Sequence, residues 1–86
     1  MKVHRTKTFD KAFLKLPGHL QVKAEKAVKL LLRDFHHPSL HTKKMSGQKN
    51  IWEARVDYQY RVTFTIDDDA IILRVVGNHD EVLKNP

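Results

Sequence analysis

The hydrophobic period changes once along the chain, near residue 40. Ahead of that point apolar residues recur at helical spacing. Phe9, Ala12, Phe13 and Leu16 form one stripe, with Thr8 as a candidate cap and Pro17-Gly18 as the stop. Leu20, Ala24, Ala27, Val28, Leu31 and Phe35 form a second stripe, predicting a longer helix over 20–35. Its other face carries Lys23, Glu25, Lys26, Lys29 and Arg33, and His36-His37-Pro38 ends it because the residue before a proline avoids the helical region. After Ser39 the pattern alternates. Ile51–Val56 and Tyr60–Ile66 read polar and apolar at period two, whereas Ala70–Val76 is more continuously apolar, as a doubly covered strand would be. Val3–Thr6 can add a further strand. The predicted architecture is α+β, in the order β-α-α-β-β-β, with two helices on one face of a small, mainly antiparallel sheet.

Strand parity predicts a register. A three-residue loop, Asp57-Tyr58-Gln59, sets Trp52 against Phe64, Ala54 against Val62 and Arg55 opposite Arg61. A two-residue turn at Asp68-Asp69 sets Phe64 against Leu73 and Thr63 against Arg74. The face away from the apolar set, expected to be open, then carries one row of Glu53, Thr63 and Arg74, and an adjacent row of Arg55, Arg61 and Val76. His79 follows at the rim. Like charges directly opposite destabilise a sheet by a few tenths to about 1 kcal/mol. The opposed arginines therefore read either as a site for an anion or as a pair neutralised by Glu53, Asp57 or a C-terminal acid. Tyr58, at the loop tip, reads equally as an ordinary turn tyrosine or as a ring for stacking a base. Trp52 lies on the apolar parity and belongs to the core.

Composition narrows the class. The 86 residues make one domain, 1–86, with 41% hydrophobic residues, enough for a single core. No cysteine is present, which excludes a disulfide framework and thiolate metal sites. His36 and His37 are adjacent and point apart, and His41 has no carboxylate or cysteine at ligand spacing, so no metal site is expected. Neither a secretory signal nor a membrane-length apolar run is present, which predicts a soluble, cytoplasmic protein. The net charge of +6 is unevenly spread. Residues 1–49 hold twelve Lys/Arg against Asp10, Glu25 and Asp34, whereas 50–86 hold Arg55, Arg61, Arg74 and Lys84 against seven acids. Such an excess suits a polyanion or an acidic protein partner; it also suits a solvated lysine-rich surface.

Tyr60-Arg61-Val62-Thr63-Phe64, an acidic turn, and Ile71-Ile72-Leu73-Arg74-Val75-Val76-Gly77-Asn78-His79-Asp80 together resemble the C-terminal half of RelE/ParE-superfamily toxins. There a Tyr-Arg strand leads to an apolar strand ending in a Gly-x-His or Gly-x-Arg turn. Upstream, His37-Pro38-Ser39-Leu40, the lysine pair, Ser46-Gly47 and Ile51-Trp52-Glu53 resemble the family's helix exit, basic strand and following strand. The resemblance covers essentially the whole chain. It implies the toxin of a type II toxin–antitoxin system, neutralised by a cognate antitoxin and touching DNA only through that complex. In the RelE branch it implies an endoribonuclease that needs neither metal nor cofactor and cleaves ribosome-bound mRNA, inhibiting translation. The ParE branch, acting on DNA gyrase, is the alternative.

Carried over by position, Arg61 matches the arginine of the Tyr-Arg motif and is expected to clamp the scissile phosphate through its planar fork. Arg55 lies where relatives carry a basic residue, and His79 where they carry a catalytic His or Arg. Glu53 is a candidate base. Lys43, Lys44, Lys49 and Arg74 are candidate RNA contacts. Two positions depart from the pattern: Glu53 stands where RelE itself has a lysine, and the C-terminal catalytic aromatic of several relatives has no counterpart nearer than Leu83.

Overall fold

The computed structural model describes residues 1–47 and 50–86. The chain runs β1 (Lys2–Arg5), α1 (Lys7–Lys15), α2 (Gly18–Arg33), a 3-10 turn (Pro38–Leu40), β2 (Lys43–Lys44), β3 (Trp52–Arg55), β4 (Tyr60–Asp67), β5 (Ala70–Asn78) and α3 (His79–Lys84). The five strands form one sheet in the order β1-β5-β4-β3-β2. β1 runs parallel to β5 and every other pair is antiparallel.

Helix α1 starts two residues earlier than its stripe suggests. Thr6 is the cap, its hydroxyl accepting from the Phe9 amide at 3.1 Å, and the same hydroxyl donates to the Leu73 carbonyl at 2.9 Å. One side chain thus ends β1, begins α1 and ties both to β5. Pro17 holds Leu16 extended and separates the helices, while the Gln21 side-chain amide reaches back to the Phe13 carbonyl at 3.1 Å. α2 ends at Arg33 rather than at Phe35. Phe35 still packs inward, edge-on to Trp52 and Phe64 at centroid separations of 5.3 and 5.9 Å.

The core lies between the two long helices and one face of the sheet. Phe9, Leu16, Leu20, Ala24, Ala27 and Leu31 meet Ala54, Val62, Phe64, Ile71, Leu73 and Val76. Each fully buried Leu, Ile or Phe contributes about 1.5–3 kcal/mol relative to exposure. Short side chains at 24 and 27 leave room for α2 to sit close to the strands.

Two expectations are corrected. The β3–β4 register is as the parity predicts, with Arg55 paired to Arg61, but β4–β5 follows it only from Phe64 to the Asp68-Asp69 turn. The register slips by one residue at Thr63/Phe64: Phe64 pairs with Leu73, Thr63 with Val75 rather than Arg74, and Arg61 with Gly77. Arg74 is the extra residue of a bulge. The slip inverts parity beyond it and sends Val76 into the core instead of beside Arg61.

The second correction is that the sheet's other face is not open. A third helix, α3, crosses it, capped by the Asn78 side chain, which accepts from the Asp80 amide at 3.0 Å. Val82 of α3 is buried over Gly77, where a Cβ would lie 3.7 Å from Val82 Cγ2. Beyond it the Pro86 carbonyl accepts from Thr63 Oγ1 at 2.8 Å and from Arg74 Nε at 3.1 Å. Glu53 and Thr63, expected on an open surface, are buried beneath this segment's side of the sheet.

Candidate functional site

One corner of the second face gathers the chemistry. Arg55 at the end of β3 pairs with Arg61 near the start of β4, Arg61 pairs with Gly77 of β5, and His79 follows two residues later. The His79 amide donates to the Gln59 carbonyl at 2.7 Å, so the first residue of α3 is fastened to the 57–59 loop that joins β3 to β4.

The two arginines share a register and differ in their surroundings. Arg61 Nη1 donates to the carbonyls of Asp57 at 2.9 Å, Tyr58 at 3.2 Å and Tyr60 at 2.9 Å. Its Nε stands 4.0 Å from Glu53 Oε1, with side chains only 13% and 7% exposed. The carboxylate answers the guanidinium charge at a site shielded from water, and the carbonyl dipoles spread it further. Arg55 has no such set: its Nε is buried without a hydrogen-bond partner among the described residues. His79 Nδ1 is likewise buried and unpartnered there. Buried polar atoms are normally satisfied by protein or ordered water, so these two are open to a further partner.

The loop is braced from outside as well. Lys23 of α2 donates to Asp57 Oδ2 at 2.7 Å, and that bond holds the Asp57 carboxyl below the usual carboxylate range. The other Asp57 oxygen accepts from the Tyr58 amide.

The remaining candidates are dispersed. Lys43 pairs with Glu53 at the sheet's edge and shares its face. Lys44 faces the opposite way, its Nζ 5.5 Å above the Trp52 ring, where it covers the core. Arg74 is held by Pro86 at the bulge. Lys49 lies outside the described residues. Among the described residues, no three His, Cys, Asp or Glu side chains are grouped to hold a metal ion, and no helix is long and apolar enough to cross a membrane.

Sequence reading missed α3 and the brace. Asn78 followed by Asp80 and Glu81 is a helix-start signal that could have revealed α3. Nothing local marks Lys23 as the partner of Asp57, 34 residues away.

A small sheet backed by two basic helices, with arginines and a histidine at one corner, defines a small α+β protein with a cationic corner on its second face. No family model matches the chain. It is 33% identical over an 82-residue alignment, 88% of each chain, to the toxin RelE3 of Methanocaldococcus jannaschii. The chain belongs to the RelE family of toxins. Its fold matches a chain of the RelB–RelE antitoxin–toxin complex from Methanococcus jannaschii with TM-score 0.76 at 24% identity, covering 96% of this chain and 99% of that one. It also matches YafQ from Escherichia coli with TM-score 0.77 at 15% identity, covering 94% and 96%.

Proposed function

We propose that this protein is the toxin of a type II toxin–antitoxin pair and cleaves ribosome-bound mRNA. The observation that carries this reading is the corner itself: two arginines in register, one without a partner at Nε, beside a histidine whose Nδ1 is unpartnered. In the reaction a ribose 2′-oxygen attacks the adjacent phosphorus and the bond to the 5′-oxygen breaks. The protein must take a proton from the first oxygen, stabilise the charged phosphorane and return a proton to the second. Arg55 is the phosphate-binding group, its Nε being without a partner among the described residues. His79 carries the proton at one of the two oxygens. Arg61 holds the loop that ends the hairpin. Glu53, buried against Arg61, acts by positioning that guanidinium rather than as the base suggested by its place in the sequence.

The partner reading is supported by charge and by the neighbours. The first half of the chain is strongly basic, which suits an acidic antitoxin, and the structural relatives include the RelB–RelE and DinJ–YafQ complexes.

Expression of wild type, Arg55→Ala and His79→Ala in cells, with mRNA integrity and plasmid supercoiling followed together, tests the proposal. Rapid mRNA cleavage lost in both variants is expected. Loss of supercoiling with intact mRNA would replace it with gyrase inhibition.

A further inference from the structure

Tyr58 stands apart from every other aromatic in the molecule. Its residue exposure is 81%, and it is the one aromatic among the exposed large hydrophobic residues described. An apolar ring in water on a flexible loop would carry little meaning, but this loop is held from four directions. Arg61 Nη1 donates to the carbonyls of Asp57, Tyr58 and Tyr60; the Asp57 carboxylate accepts from the Tyr58 amide; Lys23 donates to Asp57; and the His79 amide donates to the Gln59 carbonyl. The backbone that carries the ring is therefore fixed to the same guanidinium and the same histidine that form the proposed site.

We propose that Tyr58 is a stacking platform for an unpaired RNA base next to the scissile phosphate, an inference that rests on the nuclease reading. Stacking on an aromatic face suits any base, because each has a π-surface. Tyr58 would therefore supply affinity and alignment rather than base identity. The Tyr58 carbonyl bond to Arg61, at 3.2 Å, couples the ring's position to the phosphate-binding corner. A tyrosine also has few rotatable bonds to immobilise, so a braced ring loses little entropy on binding.

The test is a chemical double-mutant cycle on mRNA cleavage by the intact protein, using programmed ribosomes. Wild type, Tyr58→Phe and Tyr58→Ala are each measured on mRNA with normal nucleotides, and with an abasic nucleotide placed in turn on either side of the scissile bond. Tyr58→Ala is expected to lower kcat/KM by roughly tenfold or more, while Tyr58→Phe retains activity. At one abasic position the wild type falls to the same level, and Tyr58→Ala then costs nothing further. Additive losses at both positions, or wild-type cleavage by Tyr58→Ala, would overturn the stacking role and leave the nuclease reading intact. A Tyr58→Ala protein that cleaves normally but no longer copurifies with its antitoxin assigns the ring to the protein interface instead. Intact mRNA with wild-type protein would remove the nuclease reading itself, and this inference with it.

Discussion

Arg61→Ala should destabilise the fold by several kcal/mol before any chemistry is considered. The substitution removes a guanidinium whose Nε lies 4.0 Å from Glu53 Oε1 at a site where the carboxylate side chain is 7% exposed. Removing one partner of a buried pair costs about 3–5 kcal/mol, because the other charge stays buried and unanswered. The low end applies here, since 4.0 Å is the outer reach of such a contact. The three carbonyls bonded by Nη1 share one nitrogen, the Tyr58 carbonyl is open to water and the other two also accept backbone amides, so they add only about 1 kcal/mol. The expected loss is about 3–4 kcal/mol, against a total of roughly 4–13 kcal/mol for a chain of this length. At about 4–8 °C per kcal/mol, Tm should fall by about 12–32 °C. Denaturant unfolding of wild type, Arg61→Ala, Glu53→Gln and the double variant measures it. Replacing the stranded carboxylate by an amide should return about 2 kcal/mol of the loss, which appears as coupling between the two sites. A single variant within about 0.5 kcal/mol of wild type, or a double variant that is simply additive, refutes the buried-pair account.

Three further outcomes are expected. The Lys23–Asp57 pair lowers the Asp57 pKa in the folded state, so its stabilisation is present above the ordinary value of 3.8 and is lost as pH falls through the lowered one. Wild type should thus exceed Lys23→Met in stability above that range and converge with it in acid, as pH-dependent unfolding can show. Gly77→Ala should be tolerated, with unchanged or slightly raised Tm, since its Cβ would make an ordinary 3.7 Å contact with Val82; Gly77→Leu should lower Tm and loosen α3, seen as faster amide exchange. Lys44→Ala should cost about 0.5–1 kcal/mol in denaturant unfolding through lost contact with the Trp52 ring, while leaving mRNA cleavage unchanged.

Helices α1 and α2, the β3–β4 register and the Asp68-Asp69 turn were legible because each rests on a local rule: spacing 3–4 for a buried helix face, period two for a strand, and loop length for pairing. The bulge was not. Leu73 and Val76 are both core residues at odd separation, and only an extra residue between them reconciles that with a strand. A run as apolar as Ile71–Val76 hides the slip, because either parity offers a hydrophobic side chain to the core. The same ambiguity displaced Arg74 from its expected row. α3 was hidden for another reason: six residues contain too few turns for a periodic stripe, and Val82 alone is buried.

The opposed arginines show how one sequence feature can hold two meanings at once. Parity alone made them either an anion site or a neutralised pair, and the fold gives the two members different surroundings. Arg61 is answered by Glu53 and by the loop carbonyls, so its charge is already spent on structure. That commitment fixes the hairpin end and leaves Arg55, opposite it, with an unpartnered Nε on a rigid support. A phosphate entering the corner would relieve that unpartnered nitrogen at little cost in ordering, because the strand that carries it is already immobilised by its neighbour. On the proposed function the long-range attraction comes from elsewhere: the lysines of the first half outnumber its acids, whereas the half that carries the corner is net acidic. The proposed function thus divides capture and chemistry along the chain. Charge reversal on the exposed faces of α1 and α2 should therefore slow association and change its salt dependence, while substitutions at Arg55 or His79 act after the RNA has arrived.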